Sequence, residues 1–142
     1  MKNKSVLVVD DEESIRVSLQ RIIGKDNYQV ETAGNGLMAL NKLATHHYDI
    51  ILTDIMMDGM SGIELLKSIN KKYSNLIILL MTGYSSVDSA IDALRLGASD
   101  YILKPCSKKK ILSSIKKTIK KKTTYKKKES INRNNRLKVL SG

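Results

Sequence analysis

Five residues of this 142-residue chain have the types and spacing for chemistry: Asp10, Asp11, Asp54, Thr82 and Lys104. Each lies at or just past the end of an apolar run. Val6–Val9 leads into Asp10-Asp11, Ile50-Ile51-Leu52 leads to Asp54, Leu76–Met81 to Thr82, and Tyr101-Ile102-Leu103 to Lys104. A carboxylate at the tip of a buried segment is costly unless it is paired, metal-bound or used. Clustered carboxylates repel one another, and a hard divalent cation such as Mg²⁺ relieves that repulsion while accepting phosphate oxygens. A carboxylate held beside such an ion suits a nucleophile attacking a phosphoryl group. Lys and the ion then neutralise the equatorial oxygens, and the hydroxyl donates a hydrogen bond.

That chemistry requires elements that bring the five residues together. Strands are expected at Ser5–Val9, Tyr28–Thr32, Asp49–Thr53, Leu76–Met81 and Tyr101–Leu103. The first, third and fourth are nearly continuous aliphatic runs, as in strands covered on both faces. The second alternates, as an edge strand does. Between them the sequence predicts helices with one apolar face. Their apolar positions are Ile15, Leu19, Ile22 and Ile23; Leu37, Leu40, Leu43 and Ala44; Ile63, Leu66 and Ile69; Val87, Ala90, Ile91 and Leu94; and Ile111, Leu112, Ile115 and Ile119. Five alternating strands and helices predict an α/β, doubly wound (βα)5 sandwich with a parallel sheet in order 2-1-3-4-5. Ligands of such sheets bind beyond the carboxyl ends of the strands where the order reverses, between strands one and three. That point brings Asp10-Asp11 opposite Asp54.

The net charge of +11 is unevenly spread. Residues 1–106 carry 11 Lys/Arg against 13 Asp/Glu, whereas residues 107–142 carry 14 against one. The expected organisation is a compact domain over 1–121 and a basic, disordered tail or linker over 122–142. Lys crowding Lys opposes compaction there. A single cysteine, Cys106, excludes an internal disulfide framework and fits a reducing, cytoplasmic setting. The longest apolar run, Leu76–Met81, falls far short of the ~20 residues that span a bilayer. Val6–Val9 stops at four acids, so it reads as a strand rather than an export signal.

Rival readings are weaker. A haloacid-dehalogenase-like phosphatase needs a second Asp two residues after its nucleophile, where Met56 stands. Gly34-Asn35-Gly36 nominally opens a dinucleotide fingerprint, but it follows the edge strand and reads better as a tight turn. His46-His47 has no Cys or further His to support a metal reading. An alternative of a different class is a nucleic-acid-binding module acting through the basic tail.

Four segments in order carry a resemblance to a family: VLVVDDEESIR at 6–16, ILTDIMMDGMSGIELL at 51–66, LLMTGYSS at 79–86 and ALRLGASDYILKPC at 93–106. They resemble the receiver domains of two-component response regulators. The resemblance implies a phosphorylation-controlled switch rather than an enzyme, one that catalyses only its own phosphoryl transfer and slow self-dephosphorylation. Asp54 is the implied phospho-acceptor. Mg²⁺ is implied on Asp11, Asp54 and the backbone carbonyl of Met56, with Asp10 acting through a metal-bound water. Thr82 and Lys104 are implied to bind phosphoryl oxygens, across a cis Lys104–Pro105 bond, and Tyr101 matches the aromatic switch position. The implied partner is a sensor histidine kinase or phosphotransfer protein. The face of helix four, strand five and helix five is the candidate homodimer surface, and weak polyanion binding is the candidate role of the tail. Asp58 where the family often has Pro, Cys106 after Lys-Pro, and the tail itself depart from the family's pattern.

Overall fold

A computed structural model describes residues 3–57, 59–70, 72–83 and 87–141, with backbone alone for 87–90, 124–130, 134 and 136–141. Five strands alternate with five helices: β1 (Ser5–Val9), α1 (Glu13–Gly24), β2 (Gln29–Ala33), α2 (Gly36–Thr45), β3 (Ile50–Asp54), α3 (Gly62–Asn70), β4 (Ile77–Thr82), α4 (Val87–Arg95), β5 (Asp100–Leu103) and α5 (Lys108–Ser141). All the strand pairings are parallel, in the order β2-β1-β3-β4-β5. The expected α/β doubly wound sandwich is therefore the observed one.

Alternation along each strand divides the core in two. Leu7, Val9 and Ile51 face one side and pack with Leu65, Leu66 and Ile69 of α3 and Ala39 and Leu43 of α2. Val6, Val8 and Leu52 face the other, against Leu19 and Ile23 of α1 and Ile111 and Ile115 of α5. Burying each such side chain contributes about 1.5–3 kcal/mol, which is why the aliphatic runs take the interior. At the edge, β2 alternates exposed and covered residues, as its sequence does.

Two helices turn a different face inward from the one their leucines suggest. In α2 the buried residues are Gly36, Ala39 and Leu43, while Leu37 is 64% exposed. Gly36 sets this face: a Cβ there would lie 2.8 Å from the Met60 sulfur. In α4, Ala93 is buried whereas Ile91 and Leu94 are exposed. Val87 and Ala90 lie outside the described side chains.

The helix that begins after Pro105 is also longer than expected. Its apolar spacing ends near Lys121, where the sequence leads one to expect a disordered tail or linker, but the backbone stays helical to Ser141. Nothing in the intervening sequence breaks a helix, since no Gly or Pro occurs between Pro105 and Gly142 and Lys is a good helix former. Among the described residues, no helix is long and apolar enough to cross a membrane.

Candidate phosphoryl-transfer site

Parallel pairing of β1 with β3 carries their carboxyl ends to the same level, with Val9 opposite Thr53. Asp10 follows directly and Asp54 is the last residue of β3. Carboxylate oxygens of Asp10, Asp11 and Asp54 lie within 4.8 Å of one another, with Asp10 buried and Asp11 exposed.

Each anchor is held by backbone. Asp10 donates its N–H to the Ala33 carbonyl at 3.2 Å, and its Oδ1 accepts the Glu12 N–H at 3.0 Å. Arg16 Nη1 donates to the Asp10 carbonyl at 2.7 Å. That guanidinium lies against Gly34, where a Cβ would approach it to 3.4 Å. Asp54 Oδ1 accepts the Met56 N–H at 3.2 Å, which draws the loop backbone against the carboxylate. Gly62 opens α3 beneath this strand end, where a Cβ would sit 2.3 Å from the Asp54 carbonyl oxygen. By sequence Arg16 has no role at the site, and Gly62 reads only as the opening of a helix. Their contacts are to backbone, which side-chain spacing does not reveal.

Lys104 follows the end of β5 directly, and the Lys104–Pro105 bond after it is cis. Its Nζ donates to Asp54 Oδ2 at 2.9 Å and to Asp10 Oδ2 at 3.4 Å. Burial alone would lower the ammonium's pKa, but the hydrogen bond and charge of Asp54, with Asp10 behind them, hold it above its ordinary value. Lys104 therefore stays cationic beside two carboxylates.

Thr82 is fully buried at the end of β4, and its hydroxyl donates to the neighbouring Gly83 carbonyl at 3.1 Å. In register, Leu80 pairs with Tyr101 and Thr82 with Leu103. Thr82 and Tyr101 thus share one face of adjacent strands, and the half-buried Tyr101 packs on the cluster containing Leu80. The Met56 side chain is 68% exposed. Asp58 lies outside the described residues, and Gly59 after it has a φ of 79°, which glycine adopts freely.

Three converging carboxylates are hard oxygen donors, the set a small divalent cation prefers. Asp10, Asp11 and Asp54 could hold one, with waters completing the shell. The cis bond, the acidic triad and the strand-end lysine occur together in a sheet of order 2-1-3-4-5. A family model described as the response regulator receiver domain matches residues 6–116. The chain belongs to the response-regulator receiver family. Among curated relatives, this receiver is 35% identical over 117 residues to sporulation initiation phosphotransferase F of Bacillus subtilis, covering 82% of the chain and 94% of that protein. It is 46% identical over 100 residues to transcriptional regulatory protein ZraR of Klebsiella oxytoca, 70% of this chain but 23% of ZraR. Against DNA-binding transcriptional regulator NtrC of Escherichia coli it is 40% identical over 74% of the chain and 22% of NtrC. The chain thus spans about a quarter of the length of these longer relatives. Among solved structures, a receiver domain protein from Clostridium thermocellum superposes with a TM-score of 0.80 at 27% identity, covering 86% of this chain and 98% of that one.

Proposed function

We propose that this receiver takes a phosphoryl group from a phosphohistidine of a sensor histidine kinase or phosphotransfer protein onto Asp54, and acts as a switch rather than an enzyme. The observation that carries the reading is Lys104 Nζ held 2.9 Å from Asp54, beside two further carboxylates. Asp54 is the nucleophile. Its carboxylate oxygen attacks phosphorus, the P–N bond of the donor breaks, and the imidazole leaves with the electron pair. Lys104 already bonds Asp54 and lies close enough to follow the charge onto an equatorial phosphoryl oxygen. Thr82 reaches a second such oxygen by rotating its hydroxyl off the Gly83 carbonyl, a single side-chain torsion.

Asp10, Asp11 and Asp54, with the Met56 carbonyl, would hold Mg²⁺. When bound, that ion neutralises phosphoryl charge and orients the donor. Asp10, nearly covered and tied by Glu12 N–H, serves best as an outer anchor through a water. The relative that this chain matches almost end to end is named a phosphotransferase, which supports a relay role.

Mg²⁺-dependent labelling with acetyl phosphate tests this. Intact mass should rise by one phosphoryl group, and Asp54→Asn should not respond. Equal labelling of the variant would remove Asp54 from the role.

A further inference from the structure

The continuous helix places 14 of the chain's 25 Lys and Arg residues on one rod. Thirty-four residues at 1.5 Å each give a length of about 51 Å, and α5 carries 14 Lys/Arg against a single Glu129. That is one excess positive charge per roughly 4 Å, facing a duplex that presents one phosphate charge per about 1.7 Å. We infer that α5 is a docking surface for duplex nucleic acid, bound through phosphates without reading sequence.

Along its first turns α5 packs one side on the sheet. Ile111, Ser114, Ile115 and Thr118 are buried there, while Lys109, Lys116, Lys117, Lys120 and Lys121 stand exposed on the other side. By Lys122 and Thr123 the helix has reached Lys4 and Ile77, at the amino ends of β1 and β4. Farther along, Ile131, Asn132 and Arg133 are all exposed. Three consecutive helical residues span about 200° of circumference, so solvent reaches more than half of the rod's circumference there.

The chemistry of the rod selects among occupants. Its apolar residues Ile111 and Ile115 are spent on the core, so the docked half has no apolar stripe to insert into a bilayer or a partner's groove. Twelve of its fourteen cations are Lys, compact point charges that suit phosphate rather than bidentate base recognition. The acidic triad does not oppose the approach, because it sits at the carboxyl end of the sheet and the rod leaves from the amino end. Finally, Lys116–Lys120 and Lys117–Lys121 are like-charged pairs at i,i+4, a spacing that weakens a helix. A polyanion removes that repulsion, so docking and helicity rise together.

Fluorescence anisotropy of a 30-bp random-sequence duplex with the full chain tests this. Binding is expected at 50 mM salt. With about five phosphates contacted, affinity should fall by roughly 500-fold at 200 mM. The variant Lys109→Gln, Lys117→Gln, Lys120→Gln, Lys121→Gln should bind at least tenfold more weakly at 50 mM with an unchanged unfolding midpoint. Helical circular dichroism of the wild type should increase on saturation. No binding at 50 mM overturns the inference, as does binding by the variant within twofold of wild type. Binding to vesicles of 30% phosphatidylserine as tight as to the duplex assigns the rod to membranes and equally overturns it.

Discussion

Gly62 shows how one missing atom shapes the site. Its Cα passes under the end of β3, so a methyl group would meet the Asp54 carbonyl at 2.3 Å and the Ile55 Cα at 2.8 Å. Both are backbone atoms that no rotamer change can move. Gly62→Ala should therefore cost about 1–3 kcal/mol of stability, as overpacking does, and displace Asp54 from Lys104. Urea unfolding reads the first effect and acetyl phosphate labelling the second. A variant with wild-type midpoint and labelling would show that the loop yields freely. From sequence, Gly62 reads only as a helix opener, because its constraint comes from a strand eight residues earlier. Asp54 is legible for the opposite reason: a charge that ends an apolar run is anomalous where it stands. Asp10, Asp11 and Lys104 are legible likewise, and the structure brings all four together.

At the level of elements, the coupling of interest joins β4, α4 and β5. Thr82 and Tyr101 share a face of the sheet, with the hydroxyl now bonded to Gly83. We propose that drawing that hydroxyl toward a phosphoryl group would vacate space into which Tyr101 rotates, reshaping the surface of α4, β5 and α5. Such a change would be a population shift between two packings. Beryllofluoride should shift amide resonances across residues 84–110 in the wild type and much less in Thr82→Ala. Equal shifts in both would break the proposed link. Ile91 and Leu94 lie exposed on α4, which suits the homodimer surface proposed there.

Element type was readable throughout, and β1 matches its expected bounds, but several other ends and the faces of α2 and α4 were not. β3 and β4 each run one residue later than their apolar runs suggest, because ladder bonds such as Ile77 N–H to the Asp49 carbonyl fix where pairing starts. β2 begins after Asn27, whose φ of 68° turns the chain just ahead of the strand. The inward faces of α2 and α4 depend on neighbours such as Met60, to which a hydrophobic count is blind. Beyond Lys121, apolar residues are too sparse for their spacing to specify a helix, and only the absence of Gly and Pro is compatible with one.

For the molecule as a whole, acidic stability is set partly at the amino ends of the strands. Asp49 Oδ2 accepts the Ser5 N–H at 2.9 Å, and Oδ1 lies 3.3 Å from His47 Nε2. Burial would raise the Asp49 pKa, but the Ser5 hydrogen bond, His47 and the charge of Lys4 together hold it below the ordinary value. A depressed folded pKa contributes stability that is fully present above the unfolded value, about 3.9, and is lost as pH falls through the folded one. Asp49→Asn should thus cost roughly 1 kcal/mol near neutrality, and the gap to wild type should close toward pH 3 and below. Urea midpoints at pH 7, 5 and 3 measure it. A gap that widens between pH 5 and pH 3 would reverse the sign and refute the assignment.

Only Pro105, Cys106 and Ser107 separate Lys104 from the first residue of α5. The ammonium that bonds Asp54 is therefore nearly welded to the base of a rod about 51 Å long. Such a rod works as a pointer on a gauge. The rod rests on the sheet as far as Thr118, so a tilt of about 5° where it leaves, near Thr123, swings the tip of the remaining arm, about 27 Å long, by about 2 Å.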